Sequence, residues 1–166
     1  MDYYVKVRAR DISGGWSGWS PSTVMHIHSQ HACPTLFVWN GADYSDEGVL
    51  NIHAESDVTV QHEISGPFMP TKHLYNLQLR ELDQFTSHID QIKLYALDFS
   101  GKSEQCPLVS AKLGNKPLTG RLLLDDERRV DLTPDQIINV EFLQTVPYRE
   151  TKSFVFEING YNSKVP

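Results

Sequence analysis

The chain has 166 residues, 40% of them hydrophobic and 22% charged, which is enough for one substantial core and excludes a wholly disordered chain. Its formal net charge of −6 argues against a general binder of nucleic acid or of anionic membranes. No apolar run is long enough to span a bilayer, so no membrane insertion is expected.

The first 28 residues read as a hairpin. Tyr3, Val5, Val7 and Ala9 alternate with Tyr4, Lys6, Arg8 and Arg10, the period of a strand with one buried face. A glycine-rich loop, Asp11–Gly15, leads into Trp16-Ser17-Gly18-Trp19-Ser20 and Pro21, and a second strand runs from Thr23 to His28. Tyr3-x-Val5-x-Val7-x-Ala9 followed by this tryptophan pentapeptide resembles the last two strands of a fibronectin type III domain with a WSxWS motif. The resemblance implies that Lys6, Arg8 and Arg10 interleave with Trp16 and Trp19 in a structural cation–π ladder, each contact worth about 0.5–2 kcal/mol. The earlier strands of that family are absent. The chain is therefore expected to be the C-terminal part of a larger multidomain protein. His26 and His28 fall on one strand face, where two imidazoles are a candidate for zinc, against the plainer reading of a solvated face.

Residues 29–35 lack periodicity and contain Pro34, and they read as a linker. Cys33 in this linker and Cys106 farther on are each followed by proline. They allow one disulfide, which would pin the linker to the following domain and imply an oxidising compartment. Two buried free thiols are the other reading.

Residues 36–166 carry many short strands. Leu36–Trp39 ends at the turn signal Asn40-Gly41, and Val49–Ala54 and Val58–Ile64 follow. Tyr75, Leu77 and Leu79 alternate with Asn76, Gln78 and Arg80. Ile92, Leu94 and Ala96 alternate with Gln91, Lys93 and Tyr95. These two strands, joined by a short polar link, are suited to pair antiparallel and to be covered by a second sheet. Glu81 is read as a partner for Arg80 or Lys93, and Asp90 as a ligand for loop backbone. Leu108–Leu113, Arg121–Leu124, Arg128–Leu132, Ile137–Phe142 and Ser153–Ile158 complete the strands, with Thr133-Pro134-Asp135-Gln136 as a turn. The pattern predicts an all-β fold: a β-sandwich, Ig-like or jelly-roll, preceded by the fibronectin-like hairpin. Tyr75-x-Leu77-x-Leu79-x-Glu81-Leu82-Asp83 with Ile89-Asp90-Gln91-Ile92-x-Leu94-x-x-Leu97-Asp98 is similar to a β-sandwich segment near the C-terminus of bacterial and archaeal surface, repeat and propeller-bearing proteins. That likeness implies a non-catalytic terminal module, extracellular or at the cell surface.

Catalytic templates are missing: the sequence has no Gly-x-Ser-x-Gly elbow, phosphate loop, dinucleotide fingerprint or His-Glu-x-x-His. No enzyme activity and no cofactor are expected. Calcium is a second candidate ion, at the acidic runs that contain Asp43, Asp46 and Glu47 and Asp125 and Asp126, although neither matches an EF-hand loop. The expected role is structural or protein-interacting, with neighbouring domains or a protein partner. The alternative is carbohydrate binding by aromatic residues among Trp39, Tyr44, Phe68, Tyr75, Phe85, Tyr148 and Tyr161. Aromatics gathered on one exposed face would favour sugar, and buried, scattered ones the structural role.

Overall fold

A computed structural model describes residues 2–5, 17, 23–26, 33–52, 56–126 and 128–164. The chain divides into two units, Met1–Gln30 and His31–Pro166. In the first, β1 (Asp2–Val5) pairs antiparallel with β2 (Thr23–His26), Asp2 opposite His26 and Val5 opposite Thr23. Lys6, Arg8, Arg10, Trp16, Trp19 and His28 lie outside the described residues, as does the side chain of His26.

The second unit is a two-sheet β-sandwich. In chain order it contains β3 (Thr35–Trp39), β4 (Tyr44–Val49), β5 (Val58–Ile64), β6 (Leu74–Arg80), β7 (Phe85–Asp98), β8 (Ser103–Cys106), β9 (Leu108–Leu113) and β10 (Lys116–Pro117). The short helix α1 (Thr119–Leu122), β11 (Val130–Leu132), β12 (Ile137–Leu143), a 3-10 turn at Tyr148–Glu150 and β13 (Thr151–Lys164) follow. Six strands form one sheet in the order β10-β9-β12-β6-β3-β4. The other runs β11-β7-β13-β5, with β8 also paired to β7. All the described pairings are antiparallel.

The period-two pattern explains which side faces in. Leu36 and Val38 of β3, Tyr75, Leu77 and Leu79 of β6, and Ile138, Val140 and Phe142 of β12 are all buried. They meet Ile92, Leu94 and Ala96 of β7 and Phe154, Phe156 and Ile158 of β13, also buried. Tyr75 and Phe154 touch across the sandwich with ring centroids 4.8 Å apart, and Phe68 packs on both. Burying one such aromatic or aliphatic side chain contributes about 1.5–3 kcal/mol.

Several readings of the sequence change. First, β6 and β7 do not pair: β6 lies between β3 and β12, and β7 lies between β13 and β11/β8. Amphipathic strands bury one face equally well beside each other or face to face, and here the link between them crosses from one sheet to the other. Second, Asp43–Glu47 is not a loop, because most of it is β4; the expected strand Val49–Ala54 has only Val49 in a strand among its described residues. Third, Arg121–Leu124 is not a strand; Thr119–Leu122 is a single helical turn that buries Leu122.

Of the two readings left open for the cysteines, the structure has Cys33 and Cys106 both buried and unbridged. Cys33 sits beside Glu81 and accepts from Asn162 Nδ2 at 3.3 Å, whereas Cys106 sits beside Tyr75 and Thr145. Glu81 and Tyr75 mark opposite ends of β6, about 20 Å apart at roughly 3.3 Å per residue. A disulfide needs Cα atoms within about 7 Å.

The crossing link is held by buried polar groups. Glu81 is 1% exposed and pairs with neither Arg80 nor Lys93. Its Oε2 lies 2.5 Å from Ser87 Oγ, which also lies 3.0 Å from Asn162 Oδ1. Ser87 has one hydroxyl proton and faces two acceptors. Its proton goes to Glu81 Oε2, the nearer acceptor, and Asn162 Nδ2 donates onward to Cys33 Sγ. Burial pushes the Glu81 carboxyl above its ordinary range, while the bond it accepts from Ser87 opposes the shift.

Candidate functional site: the outer face of the six-stranded sheet

The polar side of the six-stranded sheet is organised by register. Phe37 of β3 stands opposite Asp46 of β4 on one side and Gln78 of β6 on the other. Gln78 stands opposite Asn139 of β12, and Asn139 opposite Lys112 of β9. This row crosses five strands, about 19 Å at ~4.8 Å per strand. In the next row Tyr44 faces Trp39, and Asn76, Glu141 and Ser110 follow on β6, β12 and β9. Because Val38 is paired with Leu77, one further step along β3 brings Trp39 level with Asn76.

Three aromatics gather there. Trp39 and Tyr44 meet edge to face, with centroids 5.4 Å apart and planes at 66°. Phe37 is two residues from Trp39 on the same face, and all three are half-buried. Arg80 lies over Phe37 and donates to Gln78 Oε1 from Nε at 3.0 Å and from Nη2 at 2.5 Å. Gln78 Nε2 in turn donates to Asn139 Oδ1 at 2.8 Å. Burial raises the Tyr44 pKa, the nearby Glu141 carboxylate adds to the shift, and Arg80 opposes it. Tyr44, Arg80 and Glu141 therefore share one electrostatic neighbourhood.

The result is a pre-set surface: an aromatic corner flanked by a guanidinium, two amides and a carboxylate. The ladder Arg80–Gln78–Asn139 fixes side chains that would otherwise lose rotamer freedom on binding. Aromatic rings supply apolar contact to C–H faces, and the polar ladder supplies paired donors and acceptors.

Trp39 and Tyr44 thus belong to this face. Phe68 and Tyr75 are core, Phe85 and Tyr161 are half-buried in the opposite sheet, and Tyr148 is exposed at a loop. Phe37, Gln78, Arg80, Asn139 and Glu141 were not among the sequence candidates. Their signal was the alternation itself, but only the pairing of distant strands brings them together.

The acidic candidates serve the backbone. Asp43 Oδ1 accepts from Tyr44 N at 2.7 Å, Asp46 Oδ1 from Gly48 N at 2.8 Å, and Glu47 Oε2 from Ser65 N at 2.9 Å and Gly66 N at 3.1 Å. Asp126 pairs with Arg128 at 3.4 Å, and Asp125 is exposed. Among the described residues no group of three or more His, Cys, Asp or Glu side chains is arranged to hold a metal.

On the other sheet Asp131 Oδ1 lies 2.7 Å from His88 Nδ1, and His88 Nε2 lies 2.7 Å from Ser163 Oγ. The connectivity matches a hydrolase triad, but Ser163 stands inside β13 opposite Thr86, not on a strand-to-helix elbow. His88 also stacks on Tyr161 at 4.5 Å. The relay ties β11, β7 and β13 together.

No protein-family model, curated protein or solved structure matches this chain. Among the described residues no helix is long and apolar enough to cross a membrane.

Proposed function

We propose that this chain is a non-catalytic β-sandwich module of an extracellular or cell-surface protein, and that it binds carbohydrate on the outer face of its six-stranded sheet. The carrying observation is the clustering of Phe37, Trp39 and Tyr44 on one face, beside the hydrogen-bonded ladder Arg80–Gln78–Asn139. A sugar ring presents an apolar C–H face and a rim of hydroxyls. An aromatic corner with neighbouring amide, guanidinium and carboxylate groups complements both. Asp46 and Glu141 offset the charge of Arg80 and Lys112 along the two rows, which favours a neutral saccharide over a strongly charged one.

Isothermal titration with oligosaccharides selected on a glycan array tests the proposal. Trp39→Ala and Tyr44→Ala are expected to weaken binding by about 1–3 kcal/mol each, the scale of an aromatic hot spot. Binding that survives both substitutions would place the ligand elsewhere. Silence across the array would return the face to a protein partner.

A further inference from the structure

The edges of the two sheets are not alike. The six-stranded sheet ends at β10, which is two residues long and includes Pro117, and at β4. On β4, Gly48 pairs with Leu36 and Asp46 with Phe37, so Glu47 is an extra, bulged residue, and Gly48 holds a φ of 113°. In the other sheet the strands that flank the far side of β7 are short. β11 has three residues and carries Asp131, and β8 has four and runs into Pro107. Short strands, proline, charge and bulges keep a sheet edge from pairing with another chain.

β5, at the opposite edge of that sheet, is built differently. Its seven residues, Val58–Ile64, keep one unbroken register against β13, from Ile64 opposite Phe154 to Val58 opposite Gly160. Val58, Thr59, Val60 and Ile64 are β-branched, Glu63 is its one carboxylate, and it contains neither proline nor glycine. Val58 and Val60 pack against the core and yet are only partly buried.

The strand is also held in place for pairing. On its inner side Gly48 of β4 lies beside the ring of His62, where an added Cβ would come within 3.6 Å of Cε1. Just past its end Glu47 Oε2 accepts from Ser65 N and Gly66 N. On its outer side Gln61 Nε2 donates to Glu157 Oε2 at 2.8 Å, and Thr59 Oγ1 accepts from Asn159 Nδ2 at 3.0 Å. Both bonds draw side chains of β5 toward β13 and away from its other edge. Among the described residues no strand pairs with that edge.

We propose that β5 is a dimerisation edge: it pairs antiparallel with β5 of a second copy of this chain, about a two-fold axis at Gln61, so that one sheet continues through both copies. A register centred on Gln61 uses the whole strand. It sets Val58 opposite Ile64, Thr59 opposite Glu63 and Val60 opposite His62, so that inward side chains meet inward ones and exposed ones meet exposed ones. The charges suit a second copy, because Glu63 meets Thr59 and not another Glu63. Val58 and Val60 lose their remaining exposure across the join. β5 belongs to the sheet opposite the aromatic face, which stays open in such a dimer.

Sedimentation velocity of the full chain, in a concentration series up to about 0.1 mM, tests the pairing. A monomer–dimer equilibrium is expected. Thr59 is exposed and stands opposite Glu63 of the second copy, so Thr59→Lys should tighten the dimer and Thr59→Glu should weaken it. Each effect should be about tenfold, since the change acts twice across the axis. Hydrogen exchange of the parent chain, which needs no variant, should slow at amides of β5 as concentration rises. A chain that stays monomeric throughout would leave this edge to a strand of another protein and overturn the proposal. So would a dimer indifferent to the sign of the charge at position 59, or exchange in β5 that does not change with concentration.

Discussion

The guanidinium of Arg80 lies over the ring of Phe37, 4.0 Å from its centroid, and the two residues sit on adjacent strands 43 positions apart in sequence (80 − 37). Arg80 is held from two directions, by the ring below and by Gln78 Oε1 beside it. Lysine cannot reproduce this fork. Arg80→Lys should therefore weaken saccharide binding about tenfold and cost less than about 1 kcal/mol of stability. Parallel titration and urea unfolding would measure both, and an unchanged affinity would remove Arg80 from the site.

Glu81 sets a pH dependence of definite sign. Burial raises its folded pKa above the ordinary 4.5, so the folded state binds this proton more tightly than the unfolded chain. Its favourable contribution is complete below pH 4.5 and is lost as pH rises through the folded pKa. The loss amounts to about 1.4 kcal/mol for each unit by which the pKa is raised. Glu81→Gln keeps an acceptor for the Ser87 hydroxyl and removes the titration. Urea unfolding across acidic and neutral pH should show the parent losing stability relative to Glu81→Gln as pH rises. A flat difference would mean that folding does not raise the Glu81 pKa.

Gly160 marks the bulge where β13 shifts register against β7. A Cβ there would run into the carbonyl oxygen of His88 and crowd the Cα of Ile89, both backbone atoms that cannot swing aside. Gly160→Ala should cost about 2–4 kcal/mol, in the range of a severe steric change. Gly120 in α1 is the control, since nothing lies within 4 Å of its added Cβ. Gly120→Ala should be neutral or stabilising by up to about 1 kcal/mol. Thermal melts of the two variants check the contrast, and equal melting temperatures would contradict the packing at Gly160.

Both thiols are buried, and burial raises both pKa values. A thiol held in its protonated form and away from solvent reacts slowly. Neither cysteine should take up iodoacetamide in the folded chain, and both should do so in denaturant without reductant. Intact mass reads the result directly. A mass that shows no alkylation until reductant is added would mean a bridge, and hence a different arrangement of the two ends of β6.

The strands that bury one face were legible because their alternation is local. β6, β9 and β12 can be read residue by residue, with Leu77, Ala111 and Val140 in and Gln78, Lys112 and Asn139 out. β4 was hidden because Asp46 and Glu47 look like loop residues, although they bond to the amides of Gly48, Ser65 and Gly66 at its edge. α1 was misread because four residues, Thr119–Leu122, are too few to display a helical period. The site was legible only in fragments. Trp39 and Tyr44 are visible as aromatics beside a turn, but Gln78 meets Asn139 through a pairing of strands that no local pattern specifies. The long register of β13 against β7, which brings Asn162 to Ser87 and Ser163 to His88, was equally out of reach.

The most direct measurement is a glycan array probed with the full chain and with the Trp39→Ala/Tyr44→Ala double variant, after melts have confirmed that both are folded. The account predicts signal from the parent chain on a set of neutral oligosaccharides and its loss from the double variant. Silence of the folded parent across neutral and acidic glycans, or equal signal from the variant, would contradict the assignment of the six-stranded sheet as a sugar-binding face.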